Sequence, residues 1–136
     1  MSDCIFCKII AGDIPSYKVY ENDKVLAFLD ITPVNPGHTL VVSKEHYENL
    51  NDLPEELVSK IIQAIKKIAP AVVKAVGADG FNLNLNNGPA AGQIVNHVHF
   101  HIVPRKIGDG YELWSGKEYG EGEAQIILDK IKNNLN

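Results

Sequence analysis

Val95-Asn96-His97-Val98-His99-Phe100-His101-Ile102-Val103 alternates polar and apolar residues from His97 to Ile102. Side chains point to opposite faces along an extended chain, so His97, His99 and His101 share one side and Val98, Phe100 and Ile102 the other. The pattern predicts a strand over 95–103, stopped by Pro104. Its apolar side can pack on a helix while its histidine side faces a cleft. Successive histidines would stand roughly 6–7 Å apart. Imidazole can serve there as nucleophile, proton carrier or metal ligand near neutral pH. The row alone fits a nucleophile with two helpers, a catalytic metal held by two or three rings, or a plain polar face. Immediately before it, Asn87-Gly88-Pro89-Ala90-Ala91-Gly92-Gln93 supplies small residues, backbone donors and two amides. Such a loop lets phosphate oxygens approach the main chain closely, which favours an anion held against a nucleophile. His99, the middle member, suits that role because neighbours on both sides can position it.

The flanking segments complete an α+β pattern. Residues 17–21 and 24–29 read as two strands joined at Asn22-Asp23, a hairpin. Pro33 and Pro36-Gly37 break the chain before a third strand at 38–43. A long helix is expected from about Pro54 to Gly77, with Leu57, Ile61, Ile62, Ile65, Ile68, Val72 and Val76 at helical spacing. Pro70 inside it predicts a kink or a split. Residues 81–85 alternate as a fourth strand, and a weak helix is expected at 123–134. Residues 4–12 read as a short helical or looped segment anchored by Ile5, Phe6, Ile9 and Ile10. These elements predict a single domain over 1–136: an antiparallel five-stranded sheet packed on one long helix, with a short C-terminal helix.

Composition narrows the function classes. The chain has 136 residues, 45% hydrophobic and 22% charged, enough to bury a core without disulfides. A net charge of -4 argues against a broad nucleic-acid surface. Met1-Ser2-Asp3-Cys4 does not begin like a secretory leader, and no apolar run suits a membrane span. The expected setting is the cytoplasm, where Cys4 and Cys7 would stay reduced.

Taken together, these residues resemble the histidine triad (HIT) family, in its Hint-like nucleotide-binding hydrolase branch. The resemblance rests on His97-Val98-His99-Phe100-His101-Ile102-Val103, Asn86, Gly92-Gln93, Pro36-Gly37-His38-Thr39-Leu40-Val41-Val42, Phe28-Leu29-Asp30-Ile31 and Ile5-Phe6, in family order over 4–105. It implies a nucleotidyl-histidine intermediate on His99, with His97, His101 and His38 orienting it or stabilising charge. It further implies that Asp30 binds the ribose hydroxyls and that Ile5, Phe6, Ile9, Phe28 and Ile31 form an apolar purine slot. Asn86, Gly92 and Gln93 would lie on the phosphate side. The implied activity is cleavage at the α-phosphate of purine nucleoside phosphoramidates or related nucleotides, with no metal needed at phosphorus. A dinucleoside polyphosphate hydrolase and a nucleotide-binding module with little catalysis are the alternatives. Homodimers are usual in the family. Ile94 stands where many Hint-type relatives carry Ser near the leaving group.

Cys4-x-x-Cys7 has metal-ligand spacing but needs two further ligands for a tetrahedral ion. No second cysteine pair exists, so the partners would be histidines, with His46 and His97 as candidates. Some members of the family hold a structural zinc with such a set. The competing expectation is a reduced pair without metal.

Overall fold

A computed structural model describes residues 3–135; Met1, Ser2 and Asn136, the extremes of the expected domain, lie outside the described residues. The chain runs α1 (Ile5–Ala11), β1 (Lys18–Glu21), β2 (Val25–Leu29), β3 (Thr39–Ser43), α2 (Glu55–Val76), β4 (Gly80–Leu85), β5 (His99–Arg105) and α3 (Glu123–Asn134). The five strands form one antiparallel sheet in the order β1-β2-β3-β5-β4. The expected α+β architecture is therefore the observed one.

The sheet has two differently used faces, and the two-residue period of its strands divides them. Val25, Ala27, Val41, Phe100 and Ile102 pack against Leu57, Ile61, Ala64, Ile65, Ile68 and Val72 of α2. Leu26, Phe28, Leu40 and Val42 point the other way, onto Phe6 and Ile9 of α1. Register places Val42 opposite His99 and Leu40 opposite His101, so the histidines join this second face. At the edge, Phe81 and Leu83 of β4 remain about two-fifths exposed, as does Ile62 of α2 (43%, 42% and 42%). Among the described residues, no helix is long and apolar enough to cross a membrane.

Three boundary expectations are corrected. α2 runs unbroken through Pro70, so the helix is not split there. The proline removes one helical hydrogen bond, to the Lys66 carbonyl, but both residues are exposed, so water can satisfy it. β5 starts at His99 rather than Val95, and His97 lies in a bend before it. β5 also continues through Pro104 to Arg105. The β3 pairing ends at Ile102, and the Pro104 carbonyl accepts from Asn35 Nδ2 on that side at 2.8 Å. The missing N–H of Pro104 faces the same way, beyond the end of the β3 ladder, so pairing with Phe81 of β4 survives.

Candidate active site and metal cluster

All five histidines form one file across the sheet face. His46 stands 4.8 Å from His97 between ring centroids. Phe6 bridges the next step, edge-on to His97 at 5.9 Å and to His99 at 5.0 Å. His99 then meets His101 at 5.0 Å, and His101 meets His38 at 5.1 Å.

At the centre, His99 Nδ1 lies 2.7 Å from the His97 carbonyl. A carbonyl only accepts, so the neutral ring carries its proton on Nδ1 and keeps a lone pair on Nε2. Burial pushes His99 below the ordinary imidazole pKa, against the opposing pull of the His97 carbonyl and Asp30. A neutral ring with a fixed lone pair is what nucleophilic attack requires.

The next pair has its protons assigned by the same logic. The Val34 N–H donates to His38 Nδ1 at 3.0 Å, so Nδ1 is the acceptor. His38 Nε2–H then donates to His101 Nδ1 at 2.9 Å. His101 is left with its proton on Nε2. Burial, followed by the neighbouring His99 and His38 rings, lowers the His101 pKa to about 4, and His38 is also lowered by burial. Asp30 stands 3.8 Å from His38 Nε2, and its other oxygen accepts from the Thr32 N–H at 2.9 Å, which fixes the carboxylate at the cleft.

His99 and His101 open onto a cavity of about 540 Å³. Ile5, Phe6, Ile9, Phe28 and Ile31 line its apolar part, with Asp30 beside them and Asn86, Gly92 and Ile94 at the histidine side. Thus most of the expected nucleotide-binding residues meet in one cleft. Gly92 has φ +92°, a left-handed backbone conformation that other residues rarely adopt, so glycine suits the turn that places this wall.

Gln93 departs from expectation. Its Oε1 accepts from the Gly88 N–H at 2.8 Å, and its Nε2 donates to the carbonyls of Glu48 and Val95 at 2.6 and 3.1 Å. The side chain is buried and braces the loop instead of lining the cavity. His97 departs too: its ring is fully buried outside the cleft, and it serves His99 through its carbonyl. Sequence reasoning missed Val34, whose contribution is a backbone N–H, together with Ile14, Leu40 and Val95 on the cavity wall. The proximity of Pro33 to Pro36-Gly37-His38 was the available signal for a constrained loop.

Cys4, Cys7, His46 and His97 come together as a potential ligand set. Cys4 Sγ and Cys7 Sγ lie 3.4 and 3.5 Å from His97 Nδ1, and Cys7 Sγ lies 3.3 Å from His46 Nδ1. A tetrahedral zinc with sulfur at about 2.3 Å and nitrogen at about 2.0 Å separates those ligand atoms by about 3.5 Å. The His97 Nε2–H donates to the Ser43 carbonyl at 2.7 Å, which turns Nδ1 toward the thiols. The cluster therefore fits a metal site. Asp30, His38 and His101 also have ligand atoms close together, but the two rings already share the hydrogen bond just described.

The HIT domain model matches residues 11–108, and the chain belongs to the HIT family. Within that family it is 57% identical over 129 residues to an uncharacterised HIT-like protein of Methanocaldococcus jannaschii, covering 95% of this chain and 98% of that one. It is 44% identical to an adenosine 5'-monophosphoramidase of Schizosaccharomyces pombe, covering 97% of this chain and 98% of the other. The crystal structure of a HIT family protein from Bacillus subtilis superimposes with a TM-score of 0.90 at 46% identity, over 98% of both chains. A Zn-bound histidine triad family protein from Mycobacterium smegmatis does so with a TM-score of 0.78 at 36% identity, over 98% of this chain and 99% of the other.

Proposed function

We propose that this protein is a nucleotide hydrolase or transferase that cleaves at the α-phosphate of purine nucleoside phosphoramidates or related nucleotides through a nucleotidyl-histidine intermediate. The observation that carries the reading is the His99 Nδ1 hydrogen bond to the His97 carbonyl, which leaves the Nε2 lone pair beside a cavity of nucleotide size. The named activity of the fission-yeast relative supports the substrate class.

In this reading the base lies among Ile5, Phe6, Ile9, Phe28 and Ile31, and Asp30 accepts from the ribose hydroxyls. His99 Nε2 attacks the α-phosphorus, the bond from phosphorus to the leaving amine or phosphate breaks, and the leaving group departs with its electron pair and takes up a proton. Water then attacks the same phosphorus and gives its proton to solvent, the phosphorus–Nε2 bond breaks with its electron pair returning to His99, and the nucleoside monophosphate is released. His101 Nε2–H donates to a phosphoryl oxygen as charge develops there. Asn86 and the Gly92 backbone lie on the same side, while Gln93 holds their loop.

Cys4, Cys7, His46 and His97 would hold a zinc ion, a reading supported by the cluster geometry and the Zn-bound relative. Bound there, the ion supplies crosslinking, since four protein ligands leave no open position for substrate. The exposed Ile62, Phe81 and Leu83 support a homodimer. A cytoplasmic setting completes the reading.

The decisive experiment is to mix the protein with an adenosine phosphoramidate, quench in base and measure intact mass. An added nucleoside monophosphate, mapped to His99 and absent from His99→Ala, is expected. Nucleotide binding with neither adduct nor turnover would instead identify a binding module.

A further inference from the structure

We propose that Asn35, held by the Arg105–Asp109 ion pair, is a positioning residue that selects the tautomer of His38 and, through it, the proton that His101 presents to the cleft. The role of that proton at a phosphoryl oxygen rests on the function proposed above; the tautomer itself does not.

A polar knot closes the far end of β5. Arg105 donates from Nε and Nη2 to the two oxygens of Asp109 at 2.7 and 3.0 Å. Its remaining contacts reach Asn82 Oδ1 and the Tyr111 carbonyl, both at 2.8 Å. The Asp109 side chain is only 8% exposed, and Arg105 only 20%. Asp109 Oδ2 also accepts from Asn35 Nδ2 at 3.0 Å, and the same amide donates to the Pro104 carbonyl at 2.8 Å. One carboxamide therefore ties the 33–38 loop to the end of β5.

The loop converts that tie into a choice of proton. The Asn35 carbonyl accepts from the His38 N–H at 3.0 Å, closing a turn over residues 35–38. Val34, adjacent to Asn35, aims its N–H at His38 Nδ1. Pro33 and Pro36 have no N–H, so neither can replace Val34 as donor. An N–H facing Nδ1 excludes a proton there, because two donors would oppose each other. His38 must then carry its proton on Nε2, and His101 must accept on Nδ1 and donate from Nε2. If the Val34 N–H swung away, both rings could exchange tautomers together. His101 would then offer a lone pair where a phosphate oxygen needs a donor. Gly37 leaves the loop little room, since a Cβ there would meet Val76 Cγ1 at 2.9 Å. Packing therefore holds the loop at Gly37, while at its other end, beside Val34, the Asn35 amide bonds to the Pro104 carbonyl and Asp109 set its position.

The test reads the tautomers directly in the ligand-free protein, by two-bond proton–nitrogen correlation of the ¹⁵N-labelled histidine rings. In the wild type, His38 and His101 are expected as Nε2–H tautomers. Asn35→Ala is expected to bring up a second, Nδ1–H population at both rings. Turnover should fall about tenfold with little change in KM, the loss of one oriented donor in the transition state. Asp109→Asn, which keeps the shape but removes the charge, should give a smaller shift in the same direction and serves if Asn35→Ala does not fold. Ile61→Val, a core change on the opposite face, should lower the melting temperature without altering the ring signals. Unchanged His38 and His101 signals in a folded Asn35→Ala or Asp109→Asn variant would overturn the proposal. Shifted tautomers in a protein that shows no turnover would leave it standing and remove the hydrolase reading instead.

Discussion

The two ends of the histidine file use the same side chain in opposite ways. At the thiol end, His97 is fully buried with both nitrogens engaged, one toward Cys4 and Cys7 and one on the Ser43 carbonyl. At the cleft end, His99 and His101 each have one nitrogen engaged and one turned to the cavity they line. Chemistry follows from the second nitrogen. Where it is tied down, the ring is a strut; where it is open, the ring can attack or donate. Phe6 touches both ends, edge-on to His97 and to His99.

That separation can be broken most forcefully at Phe6. Phe6→Ala removes a buried ring shared by the two ends, so it is expected to cost about 3 kcal/mol of stability. It should also raise KM for the nucleotide, and the two effects are measured by denaturant melts and by steady-state kinetics. A normal KM in a destabilised variant would show that the ends are coupled through something else.

Next in size is the thiol end alone. Protein purified without chelator is expected to carry one zinc per chain by metal analysis. Cys4→Ser should lose it and melt at least about 5 °C lower, with the chemical step altered less than stability. A loss of turnover larger than the loss of stability would mean that the cluster acts on catalysis directly.

Acid acts on the cleft end. An unfolded imidazole titrates near 6.5, whereas His101 in the fold titrates at about 4 because burial, then the His99 and His38 rings, oppose its charge. Between these values the unfolded chain binds more protons. This contribution to stability is therefore complete above about pH 6.5 and is lost as pH falls toward 4. His101→Asn should flatten part of that slope in melts recorded across the range.

The smallest effect is expected at Ile94, which is 92% exposed at the mouth of the cleft. Ile94→Ser supplies a hydroxyl near the proposed leaving group and should raise phosphoramidate turnover by a few-fold, with no change in melting temperature. A slower variant would argue that the apolar side chain itself contacts the departing group.

Much of this molecule is readable from its residues where the signal lies in side-chain periodicity. The alternation of 98–102 puts Phe100 and Ile102 on α2 and the histidines on the other face, and helical spacing selects Leu57, Ile61, Ile65, Ile68 and Val72. Cys4-x-x-Cys7 suggests two ligands, and two of the five histidines complete them. What escapes prediction lies in the backbone. Whether Pro104 ends β5 depends on which side its missing N–H faces, and that in turn depends on where β3 stops. Whether Pro70 splits α2 depends on water reaching the Lys66 carbonyl. The Val34 N–H that fixes His38 has no side-chain signature at all, and Gln93 reads as a ligand contact because its amide looks free until Gly88, Glu48 and Val95 are brought near it.

The three bonds of that Gln93 amide carry a thermodynamic consequence. They stitch Gly88, Glu48 and Val95 together before any anion arrives. Fixing a mobile backbone costs roughly 1–2 kcal/mol per residue, and here that ordering entropy is met during folding rather than during capture of a ligand. Nucleotide association is therefore expected as a single fast phase whose rate rises linearly with concentration, without the slow second phase of a loop that must first find its shape.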